Sequence, residues 1–261
     1  MEDLRGEVLG IVGGLGPLAS AELVSTIYRC ASWEREQDAP RIVMYSDPSF
    51  PDRTTAFLAG EDDAVLRPLV AVLERLVEMG ATRLVICCTT AHHLLPRLPQ
   101  ELRARVVSVP RVIVGQLQRA HGRYLMIGTT GTRHFRLLER EPLWERVRER
   151  VVFPRDADQE AIHGLIYQLK RMANPAALVP VVRELVEKYG ADGFIVGCSE
   201  IHILANQLFP GTGPGECIDP YLAIAASLGA ARRLPDGALV VTGRGPSWQV
   251  SDALLAAEAA V

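Results

Sequence analysis

The sequence predicts an α/β protein built from two related parallel-sheet halves. Three observations carry this. Short apolar runs alternate with helical stripes along the chain, the pattern of parallel α/β architecture. Residues 184–205 repeat residues 74–95 at an offset of 110. Residues 124–131 repeat residues 9–16 at an offset of 115. At about 150 residues per domain, 261 residues make one large or two small domains.

The elements follow in order. Residues 7–12 read as a buried strand, then the Gly-rich turn GGLGP at 13–17, then a helix near 18–33. Residues 41–45 are a second strand. Leu66, Leu69, Val70, Leu73, Leu76 and Val77 form a 3.6-period stripe that places a helix at 63–79, stopped by Gly80. A strand at 83–87 precedes a short helix after Thr90. Further strands are expected near 105–109, 123–128, 149–153 and 193–197, with helices near 111–120, 132–140, 157–172 and 176–189. The segment 235–261 reads as a turn, a short strand at 238–242 and an Ala-rich helix, with no functional reading.

Composition excludes several classes. Hydrophobic residues are 48% and charged residues 23%, the balance of a globular chain and not of a disordered one. No apolar run reaches the roughly 18 residues of a membrane span. The stretch MEDLRGEVLG lacks a basic leader followed by an apolar run, so no secretory signal is expected. A net charge of −3 argues against nucleic acid as a partner. Five cysteines, an odd number with no CxxC pair, fit neither a disulfide framework nor a zinc knuckle, and point to a reducing cytoplasm and no metal.

The repeat places Gly80 on Gly190, Ala81 on Ala191, Cys88 on Cys198, Thr89 on Ser199 and His92 on His202. Any two strand–turn–helix units share some likeness, but Gly-Ala, Cys and His recurring in register favour a duplication. Cys88 and Cys198 fall just past a buried strand and before a helix, where ligands of open parallel sheets collect. A helix N-terminus there is expected to lower a thiol's pKa. Two thiols facing one cleft from opposite sides can remove a proton from a carbon and return one to its other face, with no cofactor. Buried cysteine is also a common apolar filler. Cys87, whose counterpart is Gly197, points the other way along the strand and reads as packing, as do Cys30 and Cys217. The turn GGLGP needs backbone room or binds a ligand carboxylate. Arg53, expected in a loop, suits a bidentate grip on a carboxylate, though a solvent-facing Arg is the plainer reading. Lys170 is a binding cation or only a helix C-terminal one. His92 and His202 either orient the thiols or are satisfied core histidines.

Together these residues resemble the aspartate/glutamate racemase family, the cofactor-independent amino-acid racemases. GIVGGLGP at 10–17, PSFPDRT at 48–54, CTTAH at 88–92, TTGT at 129–132, IYQLK at 166–170, GCSE at 197–200 and IDP at 218–220 match its motifs in order, over about residues 7–230. The resemblance implies two pseudo-symmetric, Rossmann-like domains with the active site between them, in a homodimer. It implies one domain of residues 1–114 with 212–261 and another of 115–211. It makes Cys88 and Cys198 the catalytic thiols, and Arg53 and Lys170 the carriers of substrate carboxylates. It places Gly14, Thr89, Thr90, Thr130, Ser199 and Glu200 around the site. The implied activity is a racemase or epimerase of an acidic amino acid, aspartate or glutamate class. Thr89 stands where the family usually has Asn, which bears on the substrate. The alternatives are a cis–trans isomerase or decarboxylase of a dicarboxylic acid on the same scaffold, or a non-catalytic ligand-binding homologue.

Overall fold

A computed structural model describes residues 7–30, 35–171, 175–208, 217–228, 232–233 and 239–240. In the first half, β1 (Val8–Gly13) leads into α1 (Pro17–Cys30), and β2 (Arg41–Ser46) into α2 (Arg53–Leu58) and α3 (Asp62–Glu78). Next come β3 (Arg83–Ile86), a 3-10 helix (Thr90–Arg97), α4 (Gln100–Arg105) and α5 (Val109–Leu117). In the second half, β4 (Tyr124–Gly128) leads into α6 (Thr130–His134), and β5 (Val151–Val152) into α7 (Asp156–Leu169) and α8 (Val179–Lys188). Then follow β6 (Gly193–Gly197), α9 (Ser199–Leu208), β7 (Cys217–Ile218) and α10 (Pro220–Leu228). A small antiparallel pair, β8 (Arg232–Arg233) and β9 (Leu239–Val240), comes last.

Two parallel sheets result, β2-β1-β3 and β5-β4-β6-β7. The strands β4 and β6 are buried at every position, which is why they read as unbroken apolar runs. The register shows the internal repeat directly. Leu9 pairs with Arg83 in the first sheet and Tyr124 with Gly193 in the second. Shifting Leu9 by 115 gives Tyr124, and shifting Arg83 by 110 gives Gly193, so both offsets describe one strand pairing used twice. The recurring Gly-Ala has the same explanation. Gly80 (φ 93°) and Gly190 (φ 54°) both end helices in the left-handed region. Behind them the Ala81 N–H donates to Leu76 O at 3.0 Å and the Ala191 N–H to Val186 O at 3.1 Å, the same helix-ending turn.

The α3 stripe is buried through Leu69, Leu73 and Leu76, as its period requires. The chain after β7 touches both halves: β7 adds to the second sheet, while α10 packs on α1 and α5. A buried chain, Thr26–His202–Asp219, ties these helices together. His202 Nδ1 lies 2.7 Å from Asp219 Oδ2, and its Nε2 lies 3.0 Å from Thr26 Oγ1. Asp219 Oδ1 accepts the Tyr221 and Leu222 N–H groups and so caps α10.

Several expected elements differ. Instead of a strand at 105–109 there is a single parallel bridge, Leu84 to Val106. Ser108 caps α5 by accepting the Arg111 N–H, and Pro110 sits in its first turn, so the chain is already helical by Val109. The helix expected at 132–140 stops at His134, and Arg136 lies at φ 52° two residues on. The strand at 149–153 is reduced to two residues. Within 238–242, Leu239–Val240 form β9, and the expected Ala-rich helix lies outside the described residues. No helix among the described residues is long and apolar enough to cross a membrane.

Candidate active site

Strand ends from both sheets meet at one cavity. Cys88 lies just past β3 and Cys198 just past β6, and both line it. Each thiol is buried, 7% and 5% exposed. Cys87, one residue earlier, packs into the opposite core cluster, as strand alternation requires. Burial pushes its thiol far up.

Cys198 donates to Glu200 Oε2 at 2.8 Å, and Ser199 Oγ donates to the same oxygen at 3.2 Å. The lowered thiol expected at a helix N-terminus is therefore corrected here. Burial, and next the charge of Glu200, push Cys198 well above its ordinary value. Its proton is bonded to a carboxylate and not displaced by free N–H groups.

Arg53 is the first residue of α2, not a loop residue, because Asp52 caps that helix by accepting the Thr55 N–H at 2.9 Å. Its guanidinium fork is occupied by backbone. Nη1 donates to Pro51 O at 2.8 Å and Phe50 O at 3.4 Å, and Nη2 donates to Leu15 O. A bidentate carboxylate grip is thus not open in this state, and Nε is buried without a partner. Burial works against the Arg53 charge, but Cys88, Asp52 and Glu200 outweigh it and hold it above its ordinary value.

Across the mouth, Tyr167 donates to Asp52 Oδ2 at 2.5 Å. Lys170 Nζ lies 3.8 Å from the same oxygen and 4.2 Å above the Tyr167 ring. Burial and the Asp52 bond raise the Tyr167 phenol. Beneath, Thr90 Oγ1 meets Thr129 Oγ1 at 2.8 Å and Thr132 Oγ1 at 3.2 Å, a hydroxyl cluster joining the two halves.

Arg53, Cys88, Thr90, Lys170, Cys198 and Glu200 thus come together on one wall, while Gly14, Thr89, Thr130 and Ser199 do not line it. Thr89 turns to Tyr221 OH at 3.1 Å and is fully buried. Thr130 bonds His163 through its N–H and hydroxyl. The Gly14 N–H donates to Ser20 Oγ at 3.2 Å. The cavity also includes Leu15, Asp52, Thr54, Thr129 and Tyr167, which sequence reasoning did not single out. Neither His92 nor His202 reaches the wall. Among the described residues no cluster of three or more His, Cys, Asp or Glu is arranged to hold a metal.

His92 fixes the Cys88 backbone instead. Its Nε2 accepts the Val109 N–H at 3.1 Å, so Nδ1 carries the hydrogen given to Cys88 O at 3.0 Å. Burial lowers this imidazole to about 4. Folding must then keep His92 neutral where the unfolded chain would protonate it, so stability is complete above about pH 6.5 and declines as pH falls toward 4. Urea titrations across that window are expected to show a loss of up to about 3 kcal/mol, diminished in His92→Gln.

Two cysteines thus follow equivalent strands of two related parallel sheets and line one cavity, which defines an α/β protein with a paired-thiol cleft. The chain belongs to the Asp/Glu/hydantoin racemase family, whose model matches residues 12–228. Solved structures agree in fold. The Picrophilus torridus aspartate racemase matches with a TM-score of 0.73 at 20% identity, over 85% of this chain and 93% of that one. The glutamate racemase from Aquifex pyrophilus matches at 0.53 and 20% identity, over 85% and 82%. The allantoin racemase from Klebsiella pneumoniae matches at 0.53 and 14%, over 85% and 86%.

Proposed function

We propose that this protein is a cofactor-independent racemase or epimerase of an acidic amino acid, of the aspartate or glutamate class. The observation that carries the reading is that Cys88 and Cys198, from equivalent positions of the two halves, line one cavity. One thiol removes the α-proton and the other returns a proton to the opposite face, with roles exchanged for the other enantiomer. Cys198, held protonated against Glu200, stands ready as the donor. Arg53 and Lys170 offset the charge that builds on the substrate carboxylates as the α-carbon loses its proton. Release of the Arg53 fork from backbone carbonyls accompanies a bidentate grip.

The reading includes a homodimer in the cytoplasm, testable by sedimentation and fractionation. Its units are residues 1–114 with 212–261, and 115–211; the packing of α10 on α1 supports the chain's return to the first unit. The deciding experiment uses single enantiomers of aspartate and glutamate in deuterated water, without pyridoxal phosphate. The opposite hand, carrying deuterium at the α-carbon, is expected for at least one pair. No exchange with any acidic amino acid overturns the reading.

A further inference from the structure

Outside the cleft, the wider surface groove at His134–Arg140 holds neither thiol, and its polar groups are already engaged: Arg136 with Glu139, Arg140 with His93. The informative atoms are in the cleft. Asp52 is saturated, with Oδ1 accepting from Thr55 and Oδ2 facing Tyr167 and Lys170. Glu200 is not. It is 3% exposed; Oε2 accepts from Cys198 and Ser199, while Oε1 has no hydrogen-bond partner. Arg53, 7% exposed, has the opposite defect, an unpartnered Nε–H. Glu200 Oε1 lies against Gly16, and a buried acceptor and a buried donor without partners, on two residues that line one cavity, call for a ligand bringing one of each.

Their placement says where on the ligand. Arg53 lines the cavity with Cys88 and interacts with it electrostatically, and Glu200 accepts from Cys198 at 2.8 Å. Each thiol therefore has a charged neighbour, and the two are of opposite sign. A carbon flanked by both thiols keeps its substituents one bond away, beside those neighbours. An anionic substituent suits Arg53 and a cationic one suits Glu200.

We infer that Glu200 is a specificity-determining residue that receives the α-ammonium of the substrate, while Arg53 receives its α-carboxylate. The inference rests on the proposed racemase reading and deepens it. The cleft selects a zwitterionic acidic α-amino acid over a dicarboxylic acid without an amine and over a neutral cyclic ureide. By holding the Cys198 proton on its other oxygen, Glu200 also orients that thiol toward the same carbon.

The test is a cycle in which ligand and protein are changed together. Calorimetry measures aspartate against succinate, and glutamate against glutarate, on the wild-type protein and on Glu200→Gln. Wild type is expected to bind the better amino acid at least about tenfold tighter than its deaminated partner, the scale of a hydrogen bond to a charged group. Glu200→Gln should lose most of that ratio. The wild-type comparison needs no variant and stands even if Glu200→Gln does not fold. Equal wild-type affinity for amino acid and deaminated acid overturns the inference. So does a ratio unchanged in a folded Glu200→Gln. If wild type still racemises an acidic amino acid, only the role of Glu200 falls. If it neither binds nor racemises one, both readings fall.

Discussion

Serine in place of either Cys88 or Cys198 is expected to cut racemisation by roughly a thousandfold, the upper range for loss of a general acid or base. The hydroxyl preserves shape and hydrogen bonding, so the loss reports proton transfer and not collapse of the cleft. Serine cannot take up the α-proton near neutral pH, because an alcohol is a far weaker acid than a thiol. Each variant is assayed from each enantiomer by chiral chromatography. The double variant should fall little below either single one, because two groups that act as a unit are not additive. A decarboxylase or cis–trans isomerase using one thiol gives a different result: one substitution collapses turnover and the other leaves most of it. A binding protein gives ligand-induced stabilisation and no turnover in any form.

The parts of this site that were legible in the sequence share a physical cause. The strands ending before Cys88 and Cys198 are buried on both faces, so their apolar runs are continuous and their ends sharp. The repeat then fixed the two thiols as equivalents. What the sequence hid lies one to three residues from what was visible. Asp52 directly precedes Arg53 in PSFPDRT, and Tyr167 stands three residues before Lys170 in IYQLK. Thr129 lines the cavity and Thr130 does not, because Thr129 is the N-cap of α6, its hydroxyl accepting the Thr132 N–H at 3.2 Å. Cap geometry decides that, and periodicity does not reveal it. The occupation of the Arg53 fork was equally hidden, since backbone carbonyls have no sequence signature. Among the elements, β7 has only two residues, Cys217–Ile218, too few to show a period. At 105–109 an apolar run with strand character lost to the helix start set by Ser108 and Pro110.

Gly14→Ala is expected to cost about 4 kcal/mol of folding stability and to lower the melting temperature by about 10 °C. Two effects add. Gly14 sits at φ 83°, a left-handed conformation that costs an L-residue about 1–2 kcal/mol. Its Cβ would also lie 2.3 Å from the backbone N and C of Asp47 and 2.4 Å from its carbonyl oxygen. Those are main-chain atoms, with no rotamer to move aside, so the loop after β2 must shift. That loop leads directly into Pro51, Asp52 and Arg53, whose bonds to Tyr167, Leu15 and the start of α2 frame the cleft. Activity should therefore fall in the protein that remains folded. Gly80→Ala separates the two effects. Gly80 has a similar φ of 93° but nothing within 4 Å of the added carbon, so it should lose only about 1 kcal/mol. Urea denaturation of the two variants beside wild type measures the difference. Equal losses at both positions would falsify the close approach to Asp47 and leave the turn explained by backbone conformation alone. A clear excess at Gly14 makes the first-strand turn a device for holding the loop of Arg53 against the sheet. Its role in the site is then spatial, because its N–H is already given to Ser20.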